Sequence, residues 1–150
     1  MNIDPISWQI LNAVQNDGRI SLKALAAEIG LSLPATSERL TRLEEAGIIS
    51  GYRAVVKPES VGYGVMAIMA MTTLQPDKAR LIKLLTDMPE VIECLHVTGQ
   101  DSYVIRVVTR DLQHLEDFAG SINQYGETRT SIVLSHPIRL RPVSSLANHD

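Results

Sequence analysis

The sequence predicts an α+β chain in two parts, a head of three short helices followed by a β-α-β-β-α-β series. Three observations predict it. Up to Leu43, apolar residues recur at three- and four-residue spacing, the helical period. From Val65 on, apolar strand-like runs alternate with amphipathic stretches. Between them, Lys57-Pro58-Glu59-Ser60-Val61-Gly62-Tyr63-Gly64 has the Pro and Gly content of a linker. The expected organisation is therefore a head over 1–56, a linker over 57–64, a second part over 65–142 and a frayed tail over 143–150.

The head is read first. Asp4-Pro5 suits an N-cap followed by Pro at the first helical position, and Ile6, Ile10, Leu11 and Val14 share one face behind it. Asn16-Asp17-Gly18 ends this helix, with Gly18 suited to positive φ. Ser21 caps the second helix, which carries Leu22, Leu25, Ala26 and Ile29 inward and stops at Gly30. Ser32 caps the third, whose inward stripe is Leu33, Thr36, Leu40 and Leu43 and which ends at Ala46-Gly47. Ile48 to Val56 reads as extended chain with a turn near Ser50-Gly51, which gives the head the form of a winged helix-turn-helix.

In the second part, Val65 to Leu74 is apolar enough for a central strand, and Asp77 to Met88 is an amphipathic helix stopped by Pro89. Val91 to Thr98 and Tyr103 to Thr109 are strands joined by a tight turn at Gly99-Gln100-Asp101. Asp111 caps a helix running to about Tyr125, and Thr128 to Leu140 is a long last strand. This order is the ferredoxin-like arrangement.

Bulk chemistry narrows the function classes. Aromatics make up only 4% of the chain, so the core must rest on Leu, Ile, Val, Ala and Met. The net charge is -3, and residues 1–56 hold five basic residues (Arg19, Lys23, Arg39, Arg42, Arg53) against six acidic ones. Such a head grips a polyanion only by concentrating its cations locally, and pairing two copies doubles the contacts. Cys94 stands alone, which excludes an intrachain disulfide and a Cys-based zinc site; it reads as a small apolar strand residue, and a redox sensor would need exposure and a lowered pKa. There is no signal-peptide pattern and no apolar run long enough to span a bilayer, so a cytoplasmic protein is expected.

Two short helices joined by Ile29-Gly30-Leu31-Ser32, the second opening on Ser-Leu-Pro, fit a double-stranded DNA reader. Opposite the core stripe of helix three lie Pro34, Ala35, Glu38, Thr41, Arg42 and Glu45, with Arg39 on the flank. Ala35 suits a thymine methyl and Glu38 a cytosine amine, while Arg39 and Arg42 reach phosphate or guanine. Ser32, Ser37 and Arg53 are candidate phosphate contacts, helped by the N–H groups that open the helix. The plainer reading is a packed helix pair whose Arg39 and Arg42 are solvated and paired with Glu38, Glu44 or Glu45.

Gly99-Gln100-Asp101-Ser102-Tyr103 joins two central strands. Asp101 can hold an ammonium group and turn N–H groups a carboxylate, a combination suited to an amino acid; the plainer reading is a hairpin with a polar tip. His96, His114 and His136 lack a metal-ligand spacing, and no Gly-rich phosphate loop, G-x-S-x-G or paired acidic motif is present, so neither a metal nor a cofactor is expected.

Several segments together, ILNAVQNDGRIS, LAAEIGLS, ERLTRLEEAGIISGYRAVV, VTGQDSYVIRV and TRTSIVL, resemble the Lrp/AsnC (leucine-responsive/asparagine-activator) family of bacterial and archaeal transcriptional regulators, from about Ile3 to Leu140. The resemblance implies a DNA-binding regulator whose helix three enters the major groove, with Arg39, Arg42 and Ser50 to Arg53 near the backbone. It also implies a second domain that dimerises by sheet packing and assembles into tetramers or octamers. A small effector, usually an amino acid, would bind near Gly99 to Tyr103 with help from Thr130 and Ser131. One departure bears on that effector: many members carry Asp directly before the aromatic residue of the turn, where this chain has Ser102 with Asp101 one position earlier. Two other classes remain. Siroheme decarboxylases resemble this architecture and would use His96 and His136 on a tetrapyrrole. The other is an amino-acid-sensing module without DNA binding.

Overall fold

A computed structural model describes residues 3–145, and the tail from residue 146 lies outside them. The chain divides into two compact units: one is formed by the chain up to Val55 and from Ile138 on, the other by Val56–Pro137.

The first unit is the three-helix head. Helix α1 is Pro5–Asn16, capped by Asp4, whose carboxylate accepts from the Ser7 backbone N–H. It ends differently from the reading above. Asp17 closes it in an extended conformation, its carboxylate accepting from the Arg19 N–H at 2.9 Å, and Gly18 does not adopt positive φ. Helix α2 is Leu22–Ile29, capped by Ser21 and stopped by Gly30 at φ 71°, and helix α3 is Leu33–Glu45, capped by Ser32. Ile10, Leu11, Ala13, Val14, Leu25 and Leu43 bury together, with Leu40, Ile48 and Ile49 packed against them. Thr36 is fully buried because its hydroxyl donates back to the Ser32 carbonyl at 2.9 Å, which satisfies it inside the core. Leu33, expected inward, is instead 47% exposed: at the first position of α3 it precedes the turn that reaches the core. Ile48 and Ile49 both donate to the Leu43 carbonyl, and the segment that follows forms no strand. Val143, assigned above to a frayed tail, is held to α1: the Gln15 side chain donates to its carbonyl at 3.0 Å and accepts from its N–H at 2.8 Å.

The second unit contains strands β1 (Val65–Thr72), β2 (Val91–His96), β3 (Tyr103–Thr109) and β4 (Glu127–Ile132), with helices α4 (Lys78–Thr86) and α5 (Leu112–Ile122) in the connections. The sheet order is β2-β3-β1-β4, all antiparallel, the ferredoxin-like arrangement. Strand alternation sends Ala67, Met69, Met71, Tyr103, Ile105 and Val107 to the face covered by α4 and α5, where Leu81, Leu85, Leu115, Phe118 and Ile122 complete the core. The opposite face carries Ile68, Ala70, Val104 and Leu95 by register, and Leu95 is 48% exposed. Strand β4 is shorter than the predicted 128–140 because its partner runs out. Ile132 lies opposite Ala67, Val133 donates to the Met66 carbonyl at 2.8 Å, and β1 begins at Val65. Beyond it Leu134 and Leu140 are almost fully exposed.

Candidate nucleic-acid interface and effector turn

Helix α3 exposes Ser32, Pro34, Ser37, Glu38 and Arg42, with Ala35 and Arg39 half-buried; Arg53 is exposed beyond the helix. The Ser32 hydroxyl accepts from the Ala35 N–H at 3.4 Å, so it serves as a cap. Arg42 pairs with Glu38 one turn back, both side chains mostly exposed (72% and 63%). An exposed pair at this spacing contributes about 0.3–0.5 kcal/mol. So weak a pair leaves Arg42 able to exchange partners. Glu38 is held in that pair in the free protein, with its carboxylate turned to Arg42.

Arg39 is placed differently. Its Nη1 donates to Asp4 Oδ2 at 2.7 Å and reaches Ser7 Oγ at 3.5 Å, so its partner is the start of α1 and not an acid of its own helix. The guanidinium, with the Ser7 N–H second, holds the Asp4 carboxyl down to about 2. Asp4, Ser7, Ala35, Glu38, Arg39 and Arg42 line one open groove of about 570 Å³ between α1 and α3. Sequence reading identified Asp4 as a cap but gave no sign of this second role, since its partner lies 35 positions away. A further contact braces the end of α3: Tyr52 Oη donates to Glu44 at 2.9 Å, and partial burial together with that carboxylate pushes the phenol up to about 12.

At the other unit, the β2–β3 turn places Gly99 at φ 111°, a conformation that favours glycine. The Asp101 carboxylate is already engaged: Arg129 of β4 pairs with it, and the Thr72 hydroxyl donates to it at 3.5 Å and to the Gln100 carbonyl at 3.4 Å. Ser102 is tied to the end of β1. Its N–H donates to the Met71 carbonyl at 2.8 Å, while its hydroxyl bonds both backbone groups of Thr73. Tyr103 is buried in the helix-side core, its ring 5.2 Å from His96. Thr130 and Ser131 are exposed on β4 opposite Met69 and Ile68. The turn and β4 are thus joined through Asp101 and Arg129, and Arg129 is the residue of this region that sequence reading missed. Among the described residues the Thr73 hydroxyl is buried without a hydrogen-bond partner.

His96 lies on β2 against Tyr103, whereas His136 sits in the irregular segment after β4. His114 Nε2 bonds Glu90 at 2.9 Å. Cys94 is half-buried, and burial pushes its thiol up, the reverse of what a redox sensor needs. Among the described residues no group of three or more His, Cys, Asp or Glu is placed to hold a metal ion, and no helix is long and apolar enough to cross a membrane.

Residues 3–50 match the winged helix-turn-helix DNA-binding family, and residues 66–143 match the Lrp/AsnC ligand binding domain. The HTH-type transcriptional regulator LrpA of Mycobacterium tuberculosis is 36% identical over 138 residues, covering 89% of this chain and 91% of that protein. The structure of Bacillus subtilis LrpC superimposes with a TM-score of 0.88 at 28% identity, covering 94% of this chain and all of that one. The feast or famine regulatory protein of M. tuberculosis, complexed with L-methionine, superimposes with a TM-score of 0.86 at 34% identity, covering 93% and 97%.

Proposed function

The chain belongs to the Lrp/AsnC family of DNA-binding transcriptional regulators, and on that premise we propose that it reads duplex DNA through α3 as a homodimer and responds to a small effector at the Gly99–Tyr103 turn. The observation that carries the reading is the exposed edge of α3. Its N-terminal turn is capped by Ser32, leaves Pro34, Ser37 and Glu38 exposed, and is followed by Arg42 with only a weak partner. Base edges fall to Pro34, Ala35 and Glu38, and phosphates to Arg39, Arg42, Ser37 and Arg53, with Ser32 orienting the helix start. The open sheet face with Ile68, Val104 and Leu95 supports dimerisation by sheet packing, which pairs two weakly cationic heads on one duplex. Tetramers or octamers of such dimers then bridge or wrap several sites.

An amino-acid effector is supported by the L-methionine complex of the M. tuberculosis relative. In this chain it meets Asp101 already paired, so its ammonium takes the carboxylate from Arg129 while N–H groups of the turn, with Thr130 and Ser131 beside it, take its carboxylate. The effector shifts the assembly equilibrium and through it the occupied sites. We assign the chain no catalytic step and place it in the cytoplasm with the chromosome. The tetrapyrrole reading is not favoured, since the relatives are transcriptional regulators.

The test is selection of bound genomic fragments by the purified full chain, followed by mobility shifts on the recovered duplexes. Enrichment of discrete fragments supports the reading. Recovery no better than random DNA in dilute buffer rejects it.

A further inference from the structure

Asp4 belongs to none of the DNA or effector residues assigned above, yet it touches the one arginine of α3 that is fixed in place. Its two oxygens do separate jobs. Oδ1 accepts from the Ser7 N–H at 2.6 Å and so caps α1, while Oδ2 accepts from Arg39 Nη1 at 2.7 Å. Ser7 Oγ lies 3.5 Å from the same Nη1. Among the described residues the remaining guanidinium nitrogens of Arg39, Nε and Nη2, make no hydrogen bond. Arg39 is only 33% exposed, and it lines the α1–α3 groove together with Arg42.

We infer that Asp4 is a positioning residue for DNA: by tethering Nη1 of Arg39 to the start of α1, it leaves the Nε–Nη2 edge preset as a phosphate donor in the groove beside Arg42. Nη1 is held by two oxygens, Asp4 Oδ2 and Ser7 Oγ, which restrains the guanidinium while the Nε–Nη2 edge keeps its donors. The ordering of a long side chain is then completed in the free protein instead of on the DNA. The inference rests on α3 being the DNA-reading helix. Asp4 is charged near neutral pH as any ordinary Asp is, and Arg39 lowers its carboxyl further, to about 2.

The arrangement yields a test of sign. Asp4 is an acid on the side of the head that meets phosphate, so charge alone makes its removal strengthen binding. Positioning makes removal weaken it. Asp4→Asn is the informative variant, since Asn caps a helix as well as Asp does and only the ion pair is lost. Asp4→Ser is a second cap-preserving variant that reports if the first does not fold. The measurement is fluorescence anisotropy of the full chain on a duplex enriched by the wild-type protein from a randomised pool, across a salt series. The expected result for either variant is a roughly fivefold loss of affinity and a salt slope shallower by about one. Adding Asp4→Asn to Arg39→Gln should bring no further loss, because Asp4 acts through that side chain. Equal or tighter binding, or a loss that adds to that of Arg39→Gln, overturns the inference while leaving the helix reading intact. A wild-type chain that retains no duplex overturns both.

Discussion

The Ser102 hydroxyl closes the end of β1 by bonding both backbone groups of Thr73: it accepts from the N–H at 3.1 Å and donates to the carbonyl at 3.2 Å. A side chain thereby stands in for a missing strand partner. Only a group that both donates and accepts can do this. Ser102→Ala removes both bonds from a half-buried site and should cost about 1–3 kcal/mol, read as a lower urea midpoint with an unchanged slope. Ser102→Asp, which carries the acid many members of the family place here, should cost at least as much, because a carboxylate has no hydrogen to give the Thr73 carbonyl. A midpoint unmoved by Ser102→Ala contradicts this role.

A second prediction concerns Gly126, where the chain enters β4. A Cβ there would lie 2.0 Å from the Thr72 carbonyl oxygen, at φ 155°. Gly126→Ala should therefore push β4 from the end of β1 and cost roughly 3 kcal/mol. Gly99→Ala meets no atom within 4 Å and carries only the backbone penalty of φ 111°, about 1 kcal/mol. Thermal melts of the two variants should rank in that order, and a reversed ranking contradicts the close approach at Gly126.

The Asp101–Arg129 pair sets a prediction for the effector. If an amino acid's ammonium must take Asp101 from Arg129, then Asp101→Asn should abolish binding and Arg129→Gln should tighten it, as read by isothermal titration against each common amino acid. Weaker binding in Arg129→Gln would mean that the guanidinium holds the ligand and does not compete with it. No heat with any amino acid removes the amino-acid version of the effector.

Protonation offers a check on the Asp4–Arg39 pair. The folded carboxyl titrates at about 2, against an ordinary 3.8. A lowered folded value means the stabilisation is complete above the ordinary value and is lost as pH falls through the folded one. The difference in melting temperature between wild type and Asp4→Asn should be constant from about pH 5 to about pH 8 and shrink below about pH 4. A difference that grows on acidification contradicts the pairing.

Much of this was legible in the sequence, and the remainder failed for identifiable reasons. Caps announce themselves locally, so Asp4, Ser21, Gly30, Ser32 and Asp111 could be read from neighbouring residues. The periods of α5 and β3 follow equally local rules. The end of β4 could not be read this way, because residues 133–140 remain strand-like in composition and only the start of β1 at Val65 decides where pairing stops. The exposure of Leu33 is not legible in the sequence, because periodicity does not say which turn of a helix first touches the core. The pairs Asp4–Arg39 and Asp101–Arg129 join residues far apart in the chain, and no spacing rule reaches across 28 or 35 positions.

Arg42 should behave as a phosphate contact. Arg42→Ala is expected to weaken binding about equally on selected and scrambled duplexes and to lower the salt slope by about one. Glu38→Gln, which frees Arg42 and removes an acid, should raise affinity for scrambled DNA. An unchanged slope in Arg42→Ala rejects the assignment.

The central claim is that two copies of an acidic chain grip DNA by presenting their third helices to successive major grooves. Anisotropy titrations on duplexes that carry two selected half-sites, with the spacing varied one base pair at a time, test it most directly. The account predicts an affinity maximum when the half-site centres are about 10 base pairs, or a multiple of that, apart. Affinity independent of spacing, or no binding to any duplex at low salt, would contradict it.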